Sequence, residues 1–396
     1  MIADVRQTPE ADVLVDGVPA ASLRRTSEGV EFRYRDDYLS SGLPAVATTL
    51  PLSEKPVVTA GGAVPPFFAG LLPEGRRLSA LRRSVKTSAD DELSLLLAVG
   101  ADPVGAVAVI PAGGPAAVPT PTVDLSDPAG ADFSAALTSH GVPDPVAMAG
   151  VQDKASARTI AVPVTTAGSD AILKISPPEY PQLVENEAAC FRIGSGNNLR
   201  IPYADTALLH DRHGRAGLMV RRFDRSGSRR IAVEDAAQLL GIWPAEKYTV
   251  SFEEVTDAIT GVCYSPLLAL RTVAFQLAMA WLTGNGDLHA KNLSVLHDGR
   301  GFVPSPVYDV PSTVPYGDHD LALRVGGSTT GLSRRRFLAY TDGRGLPRPV
   351  AESIADEALR LTEGAADVIT SAAAYDARRT RDLTRVLAHR RRSWGA

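Results

Sequence analysis

At 396 residues the chain is long enough for two or three domains or lobes with sizeable cores. Its 44% apolar and 22% charged content is that of an ordinary globular protein, and a formal net charge of -4 gives no global attraction to nucleic acid or anionic membrane, so any such contact must come from a local patch. Its two cysteines, Cys190 and Cys263, lie in separate segments without neighbours at metal-ligand spacing, which excludes a disulfide framework and predicts buried, reduced thiols.

Met1 to Arg6 carries no apolar run, so no signal peptide is expected. Residues 12 to 35 alternate in short apolar stretches around Asp16-Gly17 and Glu28-Gly29, which predicts a small antiparallel sheet. A helix is expected from Pro66 to Leu81, and a second behind Asp90-Asp91, burying Leu93, Leu96 and Leu97. Val104 to Ile110 reads as a β-branched strand, and Pro111 to Pro128 as a linker or excursion rich in Pro, Ala, Gly and Thr. Val146 to Val164 then reads as strand, glycine-containing turn, strand. Ala171 to Ile175 is a short strand, Leu183 to Gly194 a helix and Leu218 to Phe223 another strand. Helices are expected over Val233 to Leu240, Phe252 to Thr260 and Pro266 to Thr283. The last of these is too short and too interrupted, by Arg271 and Gln276, for a membrane span, so no membrane partner is expected and the location expected is cytoplasmic. A strand at Leu293 to Leu296 precedes a helical C-terminal third, Arg348 to Leu361 and Ala365 to Arg390. Strand-rich then helix-rich, with reactive loops between, is an α+β pattern suited to two lobes with a nucleotide in the cleft.

Those loops carry the chemistry. Gly284-Asn285-Gly286-Asp287-Leu288-His289-Ala290-Lys291-Asn292 places an Asp five positions before an Asn, and Tyr308-Asp309 follows a short apolar strand. Phosphoryl transfer needs one carboxylate to accept the attacking hydroxyl's proton and hard oxygen donors to hold the metal on the nucleotide phosphates. Asp287 has the place of the base, and Asn292 and Asp309 those of the Mg²⁺ ligands. Lys291 can neutralise the transferring group, and His289 can orient the loop. Upstream, Ala149-Gly150-Val151-Gln152-Asp153-Lys154 sits between apolar strands, where a glycine turn lets backbone N–H groups approach phosphates. It matches neither of the common phosphate-loop patterns. Lys174 stands where a kinase places its phosphate-pairing lysine, and Glu185 or Glu187, opening the next helix, can hold it.

Taken together and in order, the 149–154 run, Lys174, Glu185-Asn186-Glu187, Arg222-Phe223-Asp224-Arg225, Glu234-Asp235 with Leu240-Gly241, the Asp287 loop and Tyr308-Asp309 resemble the HipA-type serine/threonine kinases, the toxin halves of bacterial toxin–antitoxin pairs. Pro66-Phe67-Phe68-Ala69-Gly70-Leu71-Leu72-Pro73-Glu74-Gly75 resembles the family's N-terminal signature, so the likeness spans nearly the whole chain. It implies a two-lobed protein-kinase-like α+β fold: an N-terminal module over 1–112, a linker or excursion over 113–145, the nucleotide-binding part of the N-lobe over 146–230 and a helical C-lobe over 231–396. It implies ATP and Mg²⁺ as cofactors, with the 149–154 loop and Lys174 on the phosphates, His289 near the nucleotide and Arg221, Arg222 and Phe223 at the hinge by the adenine. It further implies a protein serine as acceptor, in known cases on an aminoacyl-tRNA synthetase. The implied partner is a HipB-like helix-turn-helix antitoxin, through which alone the chain would reach DNA.

Two positions depart from the family. Ala147 stands where members often carry an autophosphorylated serine, with Ser156 just downstream, and Arg221 stands where the hinge often has Glu. A basic face of the last helix, Arg378, Arg381, Arg385, His389 and Arg392, reads either as a solvated surface or as a phosphate-backbone contact. Two other functions stay open on the sequence: a catalytically inactive antitoxin-binding corepressor and a small-molecule kinase.

Overall fold

The computed structural model describes residues 5–115, 125–135, 160–166 and 169–395. The chain divides into two compact units, one of residues 1–121 and 224–246, the other of residues 122–223 and 247–396.

The first unit is built on a five-stranded antiparallel sheet in the order Val57–Ala60, Gly29–Tyr34, Val18–Arg25, Glu10–Val15, Val107–Pro111. Asp16 and Gly17, at φ 46° and 84°, form the tight two-residue hairpin that the Asp-Gly pair predicts. The expected single helix after Pro66 is two, Pro66–Ala69 and Gly75–Val85, because the intervening Gly70 and Pro73 interrupt the helical backbone. Asp91 caps the next helix, Glu92–Val99, by accepting from Ser94 N–H. Phe32, Phe67, Phe68, Leu93, Leu95 and Leu96 fill the core.

Val233 to Leu240, expected as one helix, is a short strand, Val233–Asp235, followed by one turn, Ala236–Leu239. Asp235 and Gln238 close a capping box at that junction, so the N-cap falls three residues later than the apolar pattern suggests. The whole 224–246 stretch packs in the first unit, whereas the expected division assigns 231–246 to the helical C-lobe. Glu234 accepts from Thr48, the Gln238 amide donates to Phe67 O, and Arg225 forms an ion pair with Asp102 at 2.5 Å.

The second unit opens on a four-stranded antiparallel sheet in the order Ile160–Thr166, Ser169–Ile175, Ala216–Arg221, Thr206–His210. Leu125 and Phe133, from the stretch read as a linker, are buried in its core with Val164, Leu173 and Ile175. The Leu183–Ser195 helix packs on the other side through Val184 and Phe191 against Leu218 and Val220. Helices Phe252–Val262 and Pro266–Thr283 follow, the first behind a Ser251–Glu254 capping box. By length and apolar composition Pro266–Thr283 could cross a membrane; in the structure it is a core helix, 78% buried. Strands Ser294–His297 and Phe302–Pro304 form a hairpin, and Arg334–Asp342, Arg348–Leu361, Ala365–Ala373 and Ala377–Gly395 complete the helical part. The expected helix from Ala365 to Arg390 is broken at Ala374, which takes a left-handed φ of 48°. Cys190 and Cys263 are both free and buried.

Candidate active site

The long Pro266–Thr283 helix ends on Gly284, whose φ of 80° turns the chain away and whose N–H caps Ala280 O. The turn delivers Asn285 to Asn292 as a loop fixed by its own hydrogen bonds. Asp287 N–H donates to Asn285 Oδ1 at 2.8 Å, and Asp287 O accepts from His289 N–H and from the Asn292 amide, both at 2.8 Å. His289 Nδ1 accepts from Lys291 N–H at 3.2 Å, which starts a short 3₁₀ turn over Ala290–Asn292. Gly286 N–H donates to Thr313 Oγ1, whose hydroxyl reaches Asp318 O. The Asp287 side chain has no solvent exposure. Its Oδ1 accepts from the Tyr248 hydroxyl at 2.7 Å, and its Oδ2 lies 4.0 Å from His289 Nε2.

Asp309 is brought up to this loop by the segment after the hairpin. Val307 pairs as a parallel bridge with Tyr203, and Ala204 N–H donates to Val307 O at 2.9 Å. Asp309 itself has φ 55°, a left-handed conformation that Asp tolerates better than most residues and that re-aims its carboxylate. Its carbonyl accepts from the Asn285 amide at 3.4 Å. Tyr308 packs its ring on Phe223, with centroids 5.7 Å apart, and its hydroxyl donates to Lys291 O at 2.7 Å.

Lys174, on the Ser169–Ile175 strand, joins the two halves of the site. Its Nζ lies 2.7 Å from Glu187 and 2.8 Å from Asp309 Oδ1, a residue 135 positions away in the chain. The sequence left Glu185 and Glu187 as equal candidates, and the structure chooses Glu187, whose side chain is fully buried. Burial disfavours the charged ammonium, but Asp309 and Glu187 together outweigh it and hold the Lys174 pKa above its usual value. Burial pushes the Glu187 carboxyl up to about 7, more than Lys174 offsets. Its neighbour Asn186, also fully buried, ties the helix to the segment after Asp309: the amide donates to Ser312 O at 2.8 Å, and Ser312 N–H donates back at 2.9 Å.

Arg221 is exposed and forms a surface pair with Asp205 at 3.5 Å. The backbone N–H groups of Arg221 and Arg222 are both engaged, with Asp205 O and Asp170 O. Phe223 contributes its ring to the cluster with Tyr308 and Val310. Ala149, Gly150, Val151, Gln152, Asp153 and Lys154 lie outside the described residues, as do Ala147 and Ser156. Of the basic C-terminal helix, Arg390 is structural: it is buried, stacks over Trp281 at 4.1 Å and donates to Trp281 O and His319 O. Arg378, Arg381, Arg385, His389 and Arg392 are exposed, and Arg385 pairs with Asp382.

Asp309 offers a hard oxygen donor beside a lysine suited to phosphate, and Asn292 a second on the loop whose Asn285 amide donates to Asp309 O; such donors fit Mg²⁺ on a nucleotide, since that ion takes one or two protein oxygens and fills its shell from phosphates and water. Among the described residues no cluster of three or more His, Cys, Asp or Glu could hold a metal alone. Sequence reasoning did not single out Tyr248, and named Asn186 only within its run and without a role; no local pattern marks a phenol 39 residues before the carboxylate it touches.

Comparison with known proteins gives the family. Residues 146–366 match the model of the HipA-like C-terminal domain, and residues 11–110 that of the HipA N-terminal domain. The chain is 30% identical over 331 residues to the putative kinase Y4dM of Sinorhizobium fredii, covering 77% of each chain. It is 28% identical over 390 residues to the serine/threonine-protein kinase toxin HipA of Shewanella oneidensis, covering 88% of this chain and 86% of that one. It also shares a fold with a solved chain from the Shewanella oneidensis complex of HipA, HipB and operator DNA, at TM-score 0.76 and 21% identity over 97% of both chains.

Proposed function

The chain belongs to the HipA family of serine/threonine kinases, and from that premise we propose that it transfers the γ-phosphoryl group of ATP, with Mg²⁺, to a protein serine or threonine, as the toxin of a toxin–antitoxin pair. The observation that carries this reading is the convergence of Lys174, Glu187 and Asp309 within 2.8 Å contacts, with Asp309 on a segment hydrogen-bonded to the Asn285–Asn292 loop.

Mg²⁺–ATP, when bound, supplies the phosphoryl group and the neutralisation of its charge. Asp287 accepts the proton of the attacking hydroxyl. Asn292 and Asp309 would hold the metal. Lys174, kept charged by its carboxylate partners, would pair with the phosphates while Glu187 retains it. His289, against Tyr248, orders the loop. The 149–154 run would contribute to phosphate binding, and Arg221 to Phe223 would lie by the adenine.

The partner we propose is an antitoxin of the HipB kind, since the matched fold comes from a complex of HipA, HipB and operator DNA, and the location we propose is the cytoplasm. ³²P transfer from ATP to cell extract tests the enzymatic part. Asp287→Asn and Asp309→Asn should each cut labelling to a small residual rate without unfolding. Labelling by Asp309→Asn at the wild-type rate would remove Asp309 from the metal site.

A further inference from the structure

We propose that Tyr248 is a positioning residue for the catalytic base, holding the carboxylate of Asp287 in rotation so that it meets the acceptor hydroxyl in one orientation. The proposal rests on the reading of Asp287 as that base. A carboxylate on a loop has two sources of freedom, the main chain that carries it and the torsion about its own Cβ–Cγ bond. The main chain of Asp287 is fixed by Asn285, His289 and Asn292. The torsion needs a partner on a carboxylate oxygen, and the Tyr248 hydroxyl supplies one at 2.7 Å, the length of a strong bond to a charged acceptor.

Tyr248 is itself held twice. Its ring meets the His289 ring edge-on, with centroids 4.9 Å apart and planes at 79°. Its segment is tied to the catalytic loop by Ala290 N–H donating to Lys247 O at 3.3 Å. A phenol fixed at the ring and at the preceding carbonyl loses little further freedom in making the bond to Asp287, so it can act as a rigid stop. General-base efficiency depends on such placement, because the acceptor oxygen must lie within hydrogen-bond reach of the base and in line with the phosphorus.

The test uses full-length protein, Mg²⁺–ATP and a degenerate serine/threonine peptide library, reading both peptide labelling and ADP release. Tyr248→Phe keeps the ring, and with it the His289 contact, and removes one oxygen. A lost hydrogen bond to a charged group corresponds to a fall in kcat of roughly 10- to 100-fold. The KM for ATP should stay within about twofold, because nothing on the nucleotide side changes. In an Asp287→Asn background the same substitution should cost nothing further in residual kcat, since the group it positions is already disabled. Wild-type kcat in Tyr248→Phe overturns the proposal. So does an equal loss in both backgrounds, which would make Tyr248 a general structural residue, and so does faster ADP release, which would make it a cover over the base. Absence of Mg²⁺-dependent ADP release from the wild type would instead defeat the proposed function, and this inference with it.

Discussion

Asn186→Ala probes the tie between the lysine-holding helix and the metal-binding segment. Asn186 is fully buried, and its amide makes three hydrogen bonds to groups over a hundred residues away: to Ser312 O at 2.8 Å, from Ser312 N–H at 2.9 Å and to the Tyr375 hydroxyl at 2.8 Å. Tyr375 keeps a second partner, Tyr316, at 2.8 Å, so its loss is small. Ser312 is fully buried, and truncation of Asn186 removes the partners of both its N–H and its C=O. Two orphaned buried groups at roughly 1–3 kcal/mol each give about 4 kcal/mol.

The near-isosteric Asn186→Asp should cost at least as much. It still accepts from Ser312 N–H, but it turns a carboxylate oxygen toward the Ser312 carbonyl and buries a charge. Urea titration followed by tryptophan emission isolates the relevant unit: Trp281 and Trp394 are buried in the second unit, while Trp243 of the first is 37% exposed. A chain of two compact units need not unfold in one step, so the transition reported by Trp281 and Trp394 is the one to be fitted. A loss under about 1 kcal/mol for Asn186→Ala, or a smaller loss for Asp than for Ala, would refute the reasoning that paired backbone groups, rather than side-chain volume, are at stake. Below the denaturation range, kcat/KM should also fall, because Glu187 and the Asp309 segment are no longer held in register.

Two further substitutions separate steric from electrostatic effects. In Gly286→Ala the new Cβ would stand 2.5 Å from Asp320 O and 2.6 Å from Thr313 Oγ1, so the loop carrying Asp287 must shift; phosphoryl transfer should drop about 100-fold, measured by ADP release, with the melting of the second unit moved far less. In the first unit, burial pushes the Glu234 carboxyl up to about 7 from 4.5, despite two hydrogen bonds from Thr48, with Asp235 adding to the rise. A raised carboxyl means that the folded unit holds a proton the unfolded chain releases. Its contribution is therefore full below pH 4.5 and is lost as pH rises through about 7, a span corresponding to roughly 3 kcal/mol. Glu234→Gln should match wild type near pH 4.5 and melt higher than it at pH 8, and parallel pH profiles for the two proteins would exclude Glu234 as the source.

The candidate site of this protein was legible in its sequence because it is local. Asp287 and Asn292 share one turn of chain, Asp309 follows one hairpin, and the glycine that delivers the loop stands directly after the helix it ends. Turn residues, caps and strand alternation likewise declared themselves where contacts run between near neighbours, as at Asp16-Gly17 and Asp91. Tertiary structure alone settled what depends on distant partners. It selected Glu187 over Glu185, set Tyr248 on Asp287 across 39 residues, joined Lys174 to Asp309 across 135 and seated Leu125 and Phe133 in a core. It also returned residues 224–246 to the first unit and buried Arg390 on Trp281, although its neighbours suggested an open basic face. Periodicity and turn chemistry report the free energy of a few adjacent dihedrals, whereas burial and charge pairing are set by which segments meet, and one side chain carries no local mark of a partner a hundred residues away.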